Sequence, residues 1–475
     1  MITSSSTGDH DTEIPKSPLP SYSRIESLDV IRGVAVLGAL FVSIWIFGGF
    51  SNQQQNQLLV ISKGWNYRVY GAMELLLDGK MRALIAIVFG AAMIIFLNQT
   101  SKATVFAGEL FIRRQMWLIL FGLINAFVFL WTHDLLFHLG IMGILLFPFV
   151  RMSYRGLFIA AILTTLIYCG KNFWNYADKK DRYQKFLSVT ALEKKYEKDS
   201  IALGAKGTVK AKDTLTKLEK QDKQAWEGTL ANMKVDVKKD EGNIKAMHNL
   251  SYGKTWNHLL EKAQSREAQW TYQFGIWDLA SMIFLGMALY KTRFFHNRFS
   301  SSKYFIIAIV CIAAGLLLGW FRLHYLQVSL HDFTKYIKGN AVPHDIFFPI
   351  ERALLALGYA CLLIFFLSVN FLSGIWTAFS SAGKLALSNY LLQSLICTIF
   401  FYGYGMGYYA RLSQFQLYIV AAEVILVQLV LSVIWLKYYK RGPAEWLLHK
   451  LYYGHDAIPD NHTPGNANPP VTVIS

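Results

Sequence analysis

Apolar stretches of about twenty residues recur along this chain of 475 residues, and about twenty helical residues are what crosses a hydrocarbon core of ~30 Å. They fall at roughly 28–50, 81–98, 113–131, 134–150, 154–172, 272–290, 303–325, 347–371, 383–402 and 414–437. Hydrocarbon offers no partner to a free peptide N–H or C=O, so runs of this kind must be helical. The fold class that follows is an all-α polytopic membrane protein with about ten transmembrane helices. Only 16% of the residues are charged, against roughly a quarter in a soluble domain. Segment 66–79 also has apolar character, but Arg68, Glu74 and Asp78 mark it as an interfacial or re-entrant helix.

An even number of crossings puts both termini on one side, and the cations say which. Arg113 and Arg114, then Arg151 and Arg155, then Lys291, Arg293, Arg298 and Lys303 all fall in one set of alternate loops. Lys384, Lys437, Lys440 and Arg441 continue the same set. Short basic loops stay in the cytosol, so the expected orientation is N-in/C-in. Residues 1–23 are polar and rich in Ser and Pro, a disordered cytosolic tail, and 455–475 are its counterpart at the other terminus. Between them the first five spans occupy 24–172 and the last five occupy 272–454. A Lys-rich, Pro-free helical insert over 173–271 separates the two sets on the extracytoplasmic side; long loops cross regardless of charge.

The formal net charge of +16 resides largely in that insert and in loops beside spans. This distribution excludes nucleic acid as the partner and points to the lipid bilayer. Cys169, Cys311, Cys361 and Cys397 lie in or beside spans with no CxxC or Cys–His spacing, as small apolar residues do. No His/Asp/Glu set has ligand spacing on one helix face, so no metal is expected.

Polar groups inside spans are costly, which makes each a functional candidate. On the outer side, "FLWTHDLLFHLG" carries His133 and Asp134, with His138 four residues beyond Asp134. A carboxylate beside an imidazole is a common way to orient a general base, so His133 and Asp134 are the candidate catalytic pair. Asp278, Arg322, His324, Glu351 and Arg352 approach the same side and, with His138, form a secondary outer-face set. On the inner side, Asp29 and Arg32 open the first span in "SLDVIRG". Ser388, Asn389 and Gln393 line "GKLALSNYLLQS", and these five residues form the candidate donor- or ligand-binding set. The competing reading of every such residue is helix-to-helix hydrogen bonding. No P-loop, GxSxG elbow, HExxH or dinucleotide fingerprint is present, and neither an inverted repeat nor a broken helix pair is apparent.

Six stretches occur in order from about Arg24 to Gly454: "RIESLDVIRGVAVLGALFVSI", "LDGKMRALIAIVFGAAM", "WTHDLLFHLGIMGILL", "FLGMALYK", "GKLALSNYLLQS" and "GPAEWLLHKLYYG". Together they resemble the YeiB-like family of bacterial membrane proteins, a domain-of-unknown-function family; the insert lies outside the resemblance. The resemblance implies a multi-pass protein of the bacterial inner (plasma) membrane. The family is grouped with transmembrane acyltransferases that acetylate sugars, including the lysosomal heparan glucosaminide acetyltransferase. Those enzymes carry a "SLD…RG" start to an early span, take acyl-CoA from the cytosol and pass the acyl group to an acceptor on the far side. The resemblance therefore implies acyl-CoA as a co-substrate, with no bound cofactor, and Arg32 on its phosphates. Under an acyl-transfer reading, His133, oriented by Asp134, would serve as the base for an envelope glycan or lipid acceptor; otherwise the protein does no acyl transfer.

Two departures stand against this. The enzymes of that group use a His near the outer end of the early span, and "SNQQQNQLLVISKGWN" has none. The family's Gly-Asp-Ile-Leu reads His133-Asp134-Leu135-Leu136 here, so only Asp134 of the pair carries over. Three readings stay open: a membrane acyltransferase, a transporter or flippase of a small or amphipathic molecule, and a non-catalytic scaffold or sensor whose 173–271 insert binds a protein partner.

Overall fold

A computed structural model of the chain describes residues 25–454 apart from 51, 62, 101–105, 203–214, 233–240, 243, 246, 249 and 250. The two tails expected at 1–23 and 455–475, and the parts of the insert immediately on either side of 215–232, lie outside the described residues. Among those described there is no strand. The helices in chain order begin with α1 (Glu26–Phe47), α2 (Asn52–Ile61), α3 (Gly64–Leu76), α4 (Lys80–Thr100), α5 (Ala107–Phe127) and α6 (Leu136–Leu146). They continue with α7 (Tyr154–Ala202), α8 (Lys217–Ala231), α9 (Tyr252–Ser265), α10 (Ile276–Lys291), α11 (Ser301–His331) and α12 (Phe333–Gly339). The last are α13 (Phe348–Ser368), α14 (Ser373–Lys384), α15 (Ala386–Phe401), α16 (Gln414–Tyr438) and α17 (Pro443–Tyr453).

Among the described residues, eight helical stretches are long and apolar enough to cross a bilayer. They are α1, α3–α4, α5, α7, α9–α10, α11, α13 and α16. The two other expected spans take different forms. The run 134–150 is the short α6 followed by a 3-10 turn, Phe147–Arg151. Pro148 in that turn has no N–H to continue an α-helix. The run 383–402 is α15, bent by 83° from α14, so a broken helix pair exists that hydropathy did not reveal.

The edges expected for the insert, 173 and 271, fall inside continuous helices. α7 runs for 49 residues through the first edge, its apolar part giving way to Lys, Glu and Ala of good helix propensity. A π-helical turn, Arg266–Gly275, joins α9 to α10 across the second. Within the insert, α8 starts at a capping box formed by Thr216 and Glu219. It folds back on α7, where Lys223 meets Glu193 at 2.6 Å. Trp226 is buried between Tyr183 of α7 and Phe333 of α12.

The core centres on α1, α4 and α10, with Ile31, Ala35, Ile87, Ile283 and Met287 fully enclosed. α4 and α10 touch backbone to backbone at Gly90 and Gly286, where a Cβ would lie 2.2 Å from Ile283 O and 1.9 Å from Ile87 O. In contrast, α11 and α16 present Ile306, Ile309, Val310, Leu426, Val427 and Val430 outward. Exposed apolar faces of this extent on spanning helices are the surface that a bilayer covers.

Candidate functional site

Ionisable side chains collect inside the bundle toward the C-terminal end of α1, where Phe47 stacks on Trp131. Lys80, at the start of α4, is fully buried and pairs with Glu351 of α13 at 2.7 Å. Arg322 of α11 bridges Glu351 at 2.7 Å and Glu74 of α3 at 2.9 Å. Asp278 of α10 holds Arg352 of α13 in direct contact and Arg82 of α4 at 3.2 Å. Lys80, Arg322 and Arg352 also surround the Phe348 ring at 5.7, 4.8 and 5.0 Å. Gly79 makes this crowding feasible. Its φ is +72°, and a Cβ there would lie 2.5 Å from Arg352 Cδ. Four cations thus meet three carboxylates by direct contact, and Asp78 adds a fourth carboxylate within electrostatic reach of Lys80 and Arg352.

Four of the secondary outer-face residues, Asp278, Arg322, Glu351 and Arg352, meet in this network. His324 does not: it lies exposed on α11 with its ring stacked on Trp320 at 5.7 Å. Lys80, Arg82 and Glu74 were not among the sequence candidates, since each stands near the edge of an apolar run where a solvated head group is the ordinary expectation.

His138 occupies a neighbouring position on α6 and is fully buried. Its Nε2 lies 3.6 Å from Glu267 Oε2 on the π turn. The Trp270 ring stands edge-on to the imidazole at 5.1 Å. Arg266 covers the same indole at 3.5 Å, and Arg82 approaches it at 5.4 Å. Both oxygens of Glu267 are buried without a hydrogen-bond donor, while the His138 ring is within reach of the Arg266 and Asp134 backbone carbonyls. Buried polar atoms without partners are rare, and π turns gather at functional sites. Sequence reasoning missed Glu267 because it fell in the expected solvated insert. The available signal was spacing: Glu267, Thr271, Gly275 and Asp278 lie on one buried face of a continuing helix.

His133 and Asp134 are adjacent in sequence but face different partners. Asp134 accepts from Asn125 Nδ2 at 2.7 Å and from the Phe137 N–H at 2.8 Å, which holds the first turn of α6. His133 is half-buried, with Nδ1 3.0 Å from the Thr132 hydroxyl. Burial, followed by the nearby Arg266 and Lys262 charges, pushes its imidazole down to about 3, so the ring is neutral at pH 7.

The inner candidates converge on the break between α14 and α15. Arg32 pairs with Asp29 at 3.0 Å and donates to Gly383 O at 3.5 Å. Asn389 donates to Ala382 O at 3.1 Å and to Ser432 Oγ at 3.0 Å. Glu445 of α17 accepts from the N–H groups of Leu387 and Ser388 at 2.7 and 3.1 Å, and from the Ser388 hydroxyl. Gln393 donates to Gln428 at 2.9 Å, while Gln428 donates to Asn389 O at 2.8 Å. A bend inside a membrane frees peptide groups that must find partners, and these side chains supply them. Gly33 and Gly383 let α1 and α14 touch at this joint, where a Cβ on Gly383 would lie 1.8 Å from Asp29 O. The first and the last two stretches of the family resemblance therefore form one structural unit.

The profile of a family described as protein of unknown function (DUF418) matches residues 289–455. The uncharacterized protein YxaH of Bacillus subtilis (strain 168) is 24% identical over 443 residues, 92% of this chain and 96% of its own length. The uncharacterized protein YeiB of Escherichia coli (strain K12) is 25% identical over 434 residues, 90% and 95% of the two chains. An uncharacterized 39.9 kDa protein of the amylase 3' region of Bacillus acidopullulyticus is 30% identical over 95 residues, 20% of this chain and 27% of its own. No solved structure matches. With its apolar spans the chain is a multi-pass membrane protein, similar over about nine-tenths of its length to YxaH and YeiB and, over residues 289–455, to the DUF418 profile.

Proposed function

We propose that the protein is a membrane acyltransferase whose reacting centre is His138 with Glu267. The supporting observation is the enclosed His–Glu pair, 3.6 Å apart, with both Glu267 oxygens lacking a hydrogen-bond donor beside Arg82 and Arg266. His138 takes the proton of an acceptor hydroxyl or amine, and Glu267 stabilises the imidazolium that forms. The acceptor's oxygen or nitrogen bonds to the acyl carbon, the carbon–sulfur bond of the donor breaks, and His138 returns the proton to the leaving thiolate. Arg82 and Arg266 face the negative charge that builds on the acyl oxygen.

The donor in this reading is acyl-CoA from the cytosolic side, at the end of the bundle that carries Asp29 and Arg32. Ser388, Asn389 and Gln393 set the joint behind that end. The acceptor is a glycan or lipid of the cell envelope, and the protein resides N-in/C-in in the bacterial inner membrane. Residues 173–271 engage the acceptor or a protein partner in this reading. His133 with Asp134 is the alternative base position.

The test is transfer of label from acetyl-CoA to envelope lipids or glycans by protein in nanodiscs. The expected result is a loss on the order of a hundredfold or more for His138→Gln, the usual worth of a positioned base, and little change for His133→Gln. Loss on His133→Gln with His138→Gln unaffected moves the base to His133. Absence of transfer to any acceptor overturns the reading.

One observation favours a transporter instead, the 83° break between α14 and α15. Discontinuous helices in transporters present free backbone groups to a substrate. Here Arg32, Asn389 and Glu445 occupy such groups at the break, so the weight stays with group transfer.

A further inference from the structure

A cavity lies near the N-terminal end of α1, away from the His138 network. Its volume is about 1270 Å³, and it opens beside the ends of α4, α5 and α10. Arg151, Lys291, Arg293 and Arg298 line it, and no carboxylate does. Among the described residues none of these four cations takes part in an ion pair. The remaining wall is largely apolar, with Ile94, Leu97 and Phe147.

The cations are held in place. Lys291 Nζ donates to Met152 O at 2.5 Å, and Arg298 donates to Thr292 O at 2.9 Å. Arg293 sits in a turn anchored on both sides: Tyr304 donates to Phe294 O at 2.5 Å, and Ser27 to Phe295 O at 2.7 Å. Both phenylalanines are buried. Arg293 itself adopts φ +58°, ψ +26°, a left-handed conformation that disfavours any residue with a Cβ. Glycine would sit there without strain. Strained non-glycine residues concentrate where a side chain serves a ligand.

We infer that this cavity binds the phosphate group of an amphipathic phosphate ester. Arginine forks match phosphate oxygens in shape and charge, and the apolar wall at the ends of spanning helices accepts the ester's hydrocarbon part. The inference is independent of the acyltransferase reading: binding persists whether or not His138 is a base.

The test is equilibrium binding of lysophosphatidate to the full-length protein in neutral-lipid nanodiscs, with inorganic pyrophosphate as competitor. Saturable binding is expected, weakened at least tenfold by Arg151→Gln combined with Arg293→Gln. Competition by pyrophosphate identifies a soluble phosphate compound as sufficient; no competition identifies a lipid, whose chain is required. Arg293→Gly guards against misfolding, because it relieves the backbone. It should keep the wild-type thermal midpoint or raise it while weakening binding. Absence of saturable binding by either probe overturns the proposal, as does undiminished binding by a folded Arg293→Gly or double variant.

Discussion

Glu351 shows how one buried carboxylate organises a membrane interior. It is fully buried and serves Lys80 and Arg322 together. Removing it leaves two cations enclosed with poorer compensation, and breaking a buried pair costs about 3–5 kcal/mol. Glu351→Ala should therefore lower the thermal midpoint in detergent sharply. Lys80→Met should be milder, since Arg322 then keeps both Glu351 and Glu74. Equal midpoints for the two variants would mean that Glu351 is not the organising charge. His138 and Glu267 present the complementary case, an enclosed pair whose carboxylate oxygens have no hydrogen-bond donor. His138 stood in a legible motif, "WTHDLLFHLG", while Glu267 did not. Its partner comes from α6, more than a hundred residues earlier, and linear spacing carries no trace of such a meeting.

At the scale of elements, the joint between α14 and α15 is the distinctive construction. Glu445 on α17 takes two backbone N–H groups and a hydroxyl at the start of α15. A hydrogen-bond acceptor removed from enclosed donors costs about 1–3 kcal/mol. Glu445→Ala should destabilise by that order and speed amide exchange at Leu387 and Ser388. Gly383→Ala should do more, because its Cβ would enter the space of Asp29 O and push α14 off α1. Its signature is faster exchange along Leu28–Val36 as well. Unchanged exchange in both variants would show that the bend is held by other contacts. The apolar runs made these helices legible, but not the bend. A hydropathy window measures whether a segment suits hydrocarbon and is blind to the direction in which it runs.

The whole molecule couples a membrane bundle to a projecting helical arm. At 1.5 Å per residue, the 49 residues of α7 extend roughly 70 Å, well beyond a hydrocarbon core of ~30 Å. The arm and the Arg32 end of the bundle therefore lie on opposite sides if the N-in/C-in reading holds. In a cysteine-free background, Glu227→Cys on α8 should react with an impermeant maleimide in intact spheroplasts. Lys440→Cys, beyond α16, should react only after permeabilisation. The reverse pattern would invert the orientation inferred from the basic loops.

Hydrophobic length and composition alone determined that the chain is helical, multi-pass and membrane-embedded, because lipid admits only helices and closed barrels and apolar runs of about twenty residues suit a helix, not a barrel strand. They also identified most of the ionisable residues that are enclosed, Lys80 and Glu267 excepted, since a charge inside an apolar run stands out in any sequence. Which of those residues meet was decided only by tertiary structure. Arg32, Asn389 and Glu445 come together around a bend, and His138 meets Glu267 on a helical turn that the sequence reading places in the insert. Ion pairs and hydrogen bonds act over a few ångströms, whereas their partners here are separated by tens to hundreds of residues, so only the packing of the helices brings them within reach.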